Sequence, residues 1–436
     1  MSLLNNLRNK SFWFIDTLKG KKIKNHLNEI SFVLNNLESN ESLKLREQHL
    51  QDILKHATKT SSFYSDYKGI INIGEFPVIR KTVVQENFKA FQSKPYISKK
   101  NYKVSTSGST GIPFFLYQDA NKRSRNRADV LYFSGQSDFK LGNRLYELEV
   151  WRSHNKKGKL TSWLQNIVQF DISRLTDDRI LEFLNMLKRY RQEKNILGFA
   201  SSLEQISMYL ERNKIHLKNL NINSVIANSE YLNEYTKTTL SKHLNTPILS
   251  RYSSEELGII AQQTKYSTQH FIINHASYYV ELLDFNHDKP VKPGEFGRIV
   301  VTDLFNYAMP LIRYDTGDIA KLLQLENGQI KFEKIEGRKM DLIYDTKGNI
   351  VSSFVVYTKF YSFYNLLRQY QFIQHGKKEY EIKLNIIDKF PYEQLLIDSV
   401  KEDFGSDADI TVSYVDEIPL LSSGKRKKVV CNYRKI

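Results

Sequence analysis

Apolar residues in the first stretch of the chain recur at helical spacing. Leu27, Ile30, Leu34 and Leu37 fall three or four residues apart, and Leu43, Leu50, Ile53 and Leu54 carry the pattern on. The first 60 residues or so therefore predict an α-helical opening. Between residues 80 and 250 the pattern alternates: helical periodicity over Ile180 to Tyr190, then short apolar runs such as Ser224 to Ala227. That alternation predicts a layered α/β core. Phe271 to Val301 reads as two β-rich runs on either side of Asn286 to Gly294, with strand-like Tyr278 to Leu282 and Arg298 to Thr302. A β-subdomain follows from it. The last hundred residues or so again alternate short strands and helices and end in a basic run, Lys425 to Lys428. Internal repeats, low-complexity tracts and Pro/Gly-rich linkers are absent from the sequence.

Composition narrows the class. The 436 residues are 41% hydrophobic and 12% aromatic, too apolar for an extended disordered chain. A single cysteine, Cys431, excludes an intramolecular disulfide framework and a clustered cysteine zinc site, and fits a reducing compartment. The early patch Ser11 to Leu18 is interrupted by Asp16 and falls well short of the roughly 18 apolar residues of a membrane span. Met1 to Lys10 lacks the apolar core of a secretory signal. A cytoplasmic protein is the expectation. The formal charge of +16 fits a solvated surface, nucleic acid, an anionic membrane surface or small anionic substrates such as nucleotides.

Three segments carry candidate chemistry. Ser105 to Pro113 (STSGSTGIP) combines glycines, which let the backbone approach a ligand, with hydroxyl donors suited to phosphate oxygens; it is not a Walker loop. Pro310 to Asp318 (PLIRYDTGD) places a carboxylate just after a glycine turn, where it can accept the hydroxyls of a ribose diol. Glu417 to Lys425 (EIPLLSSGK) presents a lysine from a glycine turn. Taken singly, each is equally an ordinary loop, a hairpin turn or a basic tail.

Taken in order, they resemble the adenylate-forming superfamily of acyl- and aminoacyl-activating ligases. The nearest resemblance is to the phenylacetate–CoA ligase branch, in particular the CapK-like proteins related to coenzyme F390 synthetase. Further segments carry the likeness: Ser61-Ser62-Phe63-Tyr64, Phe76 to Lys81, Val225 to Glu230, Arg251 to Gly258, Pro293 to Gly297, and Gly337-Arg338 with Asp341. The resemblance implies a large N-terminal adenylation domain, residues 1–337, of layered α/β subdomains plus a β-subdomain. A small, mobile α+β lid, residues 338–436, would follow.

It also implies roles. Ser107, Gly108, Ser109, Thr110 and Gly111 would hold the ATP phosphates. Tyr252 would stack on adenine, with Ser229 and Glu230 at its edge. Glu256 would bind the bridging Mg²⁺, Asp318 the ribose hydroxyls, and Arg338 the ribose or phosphate side. Lys425 would stabilise charge while the carboxylate attacks the α-phosphate, where a cation and Mg²⁺ are most useful. Arg313 would either face phosphate or pair internally with Asp315 or Asp318. Trp151, Arg152 and His154 lie where the branch builds its acyl pocket, His154 as a carboxylate-binding or transfer residue; Phe199 and Ala200 would shape that pocket. The chain departs from the pattern at Ser253, Glu255, Met340 and Leu421. Glu255 leaves two neighbouring carboxylates as candidates for the metal.

The expected function is ATP-dependent activation of a carboxylic acid as an acyl-adenylate. The acyl group would pass to a thiol such as CoA, to an amine or to a sugar, in capsular or surface polysaccharide biosynthesis. Peripheral association with the inner membrane face would use some of the surplus positive charge. A plain aryl- or acyl-CoA ligase is the alternative; a non-catalytic scaffold or a basic nucleic-acid-binding protein is the alternative of another class. Nucleic acid ranks last, because no recognition motif accompanies the 26 Tyr and 25 Phe.

Overall fold

The computed structural model describes residues 2–106, 114–151, 156–217, 219–326, 328–338, 343–351, 353–421 and 426–433. The chain divides into two compact units, Met1–Asn143 with Leu249–Ile335, and Arg144–Ile248 with Glu336–Ile436.

In the first unit the predicted helical opening is present as helices Leu3–Leu18, Lys22–Asn35 and Asn40–Thr60. Their starts follow local chemistry. Ser2 and Ser39 accept hydrogen bonds from the backbone N–H groups of Asn5 and Ser42, satisfying donors that the helix itself cannot. Asp16, which interrupts the apolar run in the sequence, is buried and accepts from the N–H groups of Ile23 and Lys24 at the start of the next helix. The sheet of this unit runs Tyr278–Leu283, Phe296–Asp303, Tyr314–Gln324, Ile330–Arg338, Ser267–Ile273, Gly258–Thr264, Ile248–Ser254. Its apolar cluster takes in Leu50 and Ile53 from the helical opening and Tyr64, Phe76 and Phe91 from the segment that follows it. The segment Phe76 to Lys81 is tied in by a bridge from Ile79 to Tyr314, with Ile79 N–H donating to Arg313 O and Asp315 N–H to Ile79 O.

Among the described residues the second unit holds a parallel set of strands, a C-terminal sheet and the short pair Ile343–Tyr344 with Ile350–Val351. Strands Ile222–Asn228, Lys194–Phe199, Arg144–Glu149 and Ile167–Asp171 are parallel neighbours in that order, covered by helices Asp177–Arg189 and Ala200–Arg212. Their buried side chains, among them Tyr146, Leu148, Phe170, Ile196 and Val225, form the apolar core of this part of the unit. Asp177 and Asp178 open their helix and Lys188 and Arg189 close it, each charge complementing the helix dipole. The C-terminal sheet runs Asp409–Tyr414, Glu379–Ile386, Leu367–Gln374, Val429–Cys431. The fold is thus mixed α/β, as the residue pattern implies.

Candidate functional site

In the first unit, two segments that lie far apart in sequence, Arg251 to Gly258 and Pro310 to Asp318, come within hydrogen-bonding distance of each other. Tyr252, on strand Ile248–Ser254, donates its hydroxyl to Asp318 Oδ2 at 2.8 Å and to Thr316 Oγ1 at 3.2 Å. Burial, then the Asp318 carboxylate, pushes the Tyr252 phenol well above its usual range, so it stays a neutral donor. Asp318 sits on Tyr314–Gln324 beyond Gly317, whose φ of 79° gives the turn that the sequence predicts. Its backbone N–H also reaches Thr316 Oγ1 at 3.2 Å.

Glu256 lies one turn further along. Its carboxylate accepts from the Tyr314 hydroxyl at 3.1 Å, and its carbonyl accepts from Gln118 Nε2 at 3.1 Å. Glu255 is exposed, whereas Glu256 is partly buried. Gly258 closes this turn at φ 111°. A Cβ there would stand 2.8 Å from Asn126 Oδ1 and 3.0 Å from the Tyr278 hydroxyl, so only glycine fits without displacement. Tyr252, Asp318 and Glu256 are therefore positioned by Thr316, Tyr314 and Gln118, of which the sequence reading singled out none. Tyr314 and Thr316 lie inside the PLIRYDTGD segment and were legible there; Gln118 carried no signal.

Arg313 corrects the sequence expectation. It pairs neither with Asp315 nor with Asp318. It is buried, adopts a left-handed backbone at φ 49°, and binds both Glu281 oxygens at 2.9 and 3.1 Å. Its remaining donor reaches the carbonyls of Gly74 and Phe76. Asp315 is taken by Arg298 at 2.9 Å, which also binds Asp288. Charges so buried require partners of opposite sign, and sequence proximity does not supply them.

In the second unit, Ser229 follows strand Ile222–Asn228 with a φ of 69°, a conformation sparsely occupied by residues other than glycine. Next to it, Glu230 Oε2 accepts from the Ser201 N–H at 2.8 Å, at the start of helix Ala200–Arg212. Glu230 Oε1 accepts from the Arg426 N–H at 3.1 Å. Two residues on, Lys428 contacts Glu204, whose other oxygen accepts from Asn233 Nδ2 and the Tyr364 hydroxyl, each at 2.6 Å. Burial works against the Lys428 charge and the contacting carboxylate works for it. Stacked Tyr231 and Tyr357, 5.0 Å apart and 7° from parallel, extend this contact. The basic run at the C-terminus is thus partly consumed in packing: Lys428 is no solvated tail residue.

Arg338 ends strand Ile330–Arg338; its side chain lies outside the described residues. So do Ser107, Gly108, Ser109, Thr110, Gly111, His154 and Lys425. Among the described residues, no cluster of three or more His, Cys, Asp or Glu side chains can hold a metal ion. A lone carboxylate is nonetheless what Mg²⁺ accepts when substrate phosphates and water complete its shell, so Glu256 fits that role.

Comparison with known proteins bears on the fold. The solved structure of 2-hydroxyisobutyryl-CoA ligase in the postadenylation state with 2-HIB-AMP superposes with a TM-score of 0.71 at 14% identity, over 90% of each chain. The amide bond synthetase McbA from Marinactinospora thermotolerans superposes with a TM-score of 0.54 at 15% identity, over 75% of this chain and 68% of its own. The chain has the fold of the adenylate-forming ligases. Within that fold it is CapK-like: residues 343–432 match the CapK C-terminal domain, and the chain is 24% identical to Protein CapK from Staphylococcus aureus over 91% of each.

Proposed function

We propose that the protein activates a carboxylic acid with ATP, forming an acyl-adenylate and releasing pyrophosphate. The observation that carries this is the convergence of Tyr252 and Glu256 with Asp318, from two separate segments, in one unit of an adenylate-forming fold.

Tyr252 presents its ring to adenine while its hydroxyl fixes the Asp318 carboxylate for the ribose diol. Ser229 and Glu230 border the base. The hydroxyl and glycine loop Ser107 to Gly111 takes the phosphates, with Arg338 on the ribose or phosphate side. Glu256, oriented by Tyr314, is the ligand for Mg²⁺, which supplies charge neutralisation on the phosphates. Lys425, delivered by a lid spanning 338–436 on a body of 1–337, stabilises charge as a carboxylate oxygen bonds to the α-phosphorus and the bond to pyrophosphate breaks. His154 would bind the carboxylate of the acid or act in transfer.

The acyl group then passes to an acceptor. Relatives of this fold include a CoA ligase and an amide bond synthetase, so a thiol and an amine are both within its reach. A sugar or surface-polysaccharide acceptor, used in the cytoplasm at the inner membrane face, is what the CapK-like resemblance of the sequence implies. The plain acyl-CoA ligase is the second reading, favoured by the CoA ligase superposition.

Trapping of the adenylate with hydroxylamine across a panel of carboxylic acids tests the first half-reaction without knowledge of the acceptor. A hydroxamate that disappears in Lys425→Ala is expected. Background hydroxamate and pyrophosphate exchange with every acid, unchanged in that variant, would remove the proposal.

A further inference from the structure

The first helix, Leu3–Leu18, is built inside out. Several of its polar residues face the protein. Asn5 and Asp16 are buried, Asn5 Nδ2 donates to Asn143 Oδ1 at 3.2 Å, and Asn9 Nδ2 donates to Leu141 O at 3.1 Å. Gly142 permits this approach, since a Cβ there would stand 2.2 Å from Asn5 O. Phe12 and Trp13 pack against the apolar cluster around Ile30 and Phe133.

The opposite side is apolar and open. Leu3, Leu4, Leu7, Phe14, Ile15 and Leu18 are 90%, 42%, 59%, 65%, 49% and 71% exposed. At 3.6 residues per turn these six fall within roughly a third of the circumference, interrupted by Ser11 alone. A contiguous stripe of large apolar side chains in water marks an interaction surface.

Its chemistry points to one occupant. Residues 1–24 contain six basic side chains, Arg8, Lys10, Lys19, Lys21, Lys22 and Lys24, against a single acidic one, Asp16. That acid is buried and spent on the N–H groups of the next helix, so it does not offset the surface charge. An exposed apolar stripe with cations clustered at its C-terminal end is the composition of a helix that lies in the plane of an anionic bilayer. No helix among the described residues is long and apolar enough to cross one.

We infer that helix Leu3–Leu18 is an interfacial anchor that lays its Leu4, Leu7, Phe14 and Leu18 side into an anionic phospholipid surface, with Lys19, Lys21, Lys22 and Lys24 on the headgroups. This goes beyond the proposed chemistry and does not depend on it.

Co-sedimentation of the full chain with vesicles of phosphatidylcholine containing phosphatidylglycerol, against phosphatidylcholine alone, tests it. Binding to the anionic vesicles only is expected, falling as salt screens the lysines. Phe14→Ser with Leu18→Ser should weaken partitioning at least about tenfold, since each removes apolar area that the bilayer would bury. Both side chains are exposed, so thermal unfolding without lipid should not shift, which separates lost anchoring from lost folding. Equal partitioning of the double variant and the parent would overturn the proposal. So would a lipid-free dimer of the parent that the double variant abolishes, because the stripe would then be an interface between copies.

Discussion

The contact of Lys428 with Glu204 joins the C-terminal segment to helix Ala200–Arg212 within one unit, three residues after Lys425, and its strength can be worked out. Glu204 is 3% exposed and carries two further donors, Asn233 and Tyr364. Lys428→Met leaves that carboxylate charged and buried. Loss of one partner of a buried pair costs about 3–5 kcal/mol, and the two remaining donors put this case near the lower bound, about 3 kcal/mol. Glu204→Gln keeps a carbonyl acceptor and leaves Lys428 more exposed than its partner, so about 2 kcal/mol is expected. Because both variants break one interaction, the double variant should lose about as much as Lys428→Met alone, a coupling of about 2 kcal/mol. Hydrogen exchange read on peptides covering 200–212 and 367–374 reports the local opening, and about 3 kcal/mol is roughly a hundredfold faster exchange. Adenylate formation should fall with it, since the segment bearing Lys425 loses its tether. If the double variant loses the sum of the two single losses, or exchange in these peptides does not change, the two side chains do not act as a pair and the reasoning fails.

Three other outcomes follow from the geometry. Tyr252→Phe keeps an aromatic face but removes the 2.8 Å hydrogen bond that fixes Asp318; ATP binding by calorimetry should weaken about tenfold, or about 1.5 kcal/mol, and unchanged affinity would separate Asp318 from that hydroxyl. Gly258→Ala forces a side chain into a φ of 111° against Asn126 and Tyr278, so a stability loss of about 1–3 kcal/mol is expected in denaturant titration, with Mg²⁺-dependent nucleotide binding reduced because Glu256 is two residues away. His275 is held by burial, and next by the Arg46 guanidinium, down to about 4 from its ordinary 6.5. The unfolded chain therefore binds a proton that the folded chain refuses between these values: its contribution is fully present above pH 6.5 and falls by about 3 kcal/mol towards pH 4. Denaturant midpoints across that window should be steeper in pH for the parent than for His275→Gln, and equal slopes would contradict the assignment.

Much of the architecture was legible in residue order. Period and punctuation gave the helical opening, the alternating core and the β-rich stretch, because amphipathic spacing and continuous apolar runs are local properties of the chain. Tyr252 and Glu256 were singled out by resemblance to the family's motifs, and Asp318 also by the glycine turn before it. The partners were not. Arg313 sits two residues from Asp315 yet pairs with Glu281, and Asp315 takes Arg298. Which charge meets which is settled by strand register: Val300 lies opposite Asp315 and Glu281 opposite Val300, so one strand interposes between the two carboxylates and assigns each its own arginine.

The same division holds elsewhere. Asp16 read as a break in an apolar run, but packing turned it inward as a cap and left the leucines of its helix outside. Lys428 read as one cation of a tail, and folding buried it against Glu204 across more than two hundred residues of sequence. Short-range spacing determines which element forms and which chemistry it carries. Burial, which depends on what packs against that element, determines whether a charge faces solvent, a partner or a ligand.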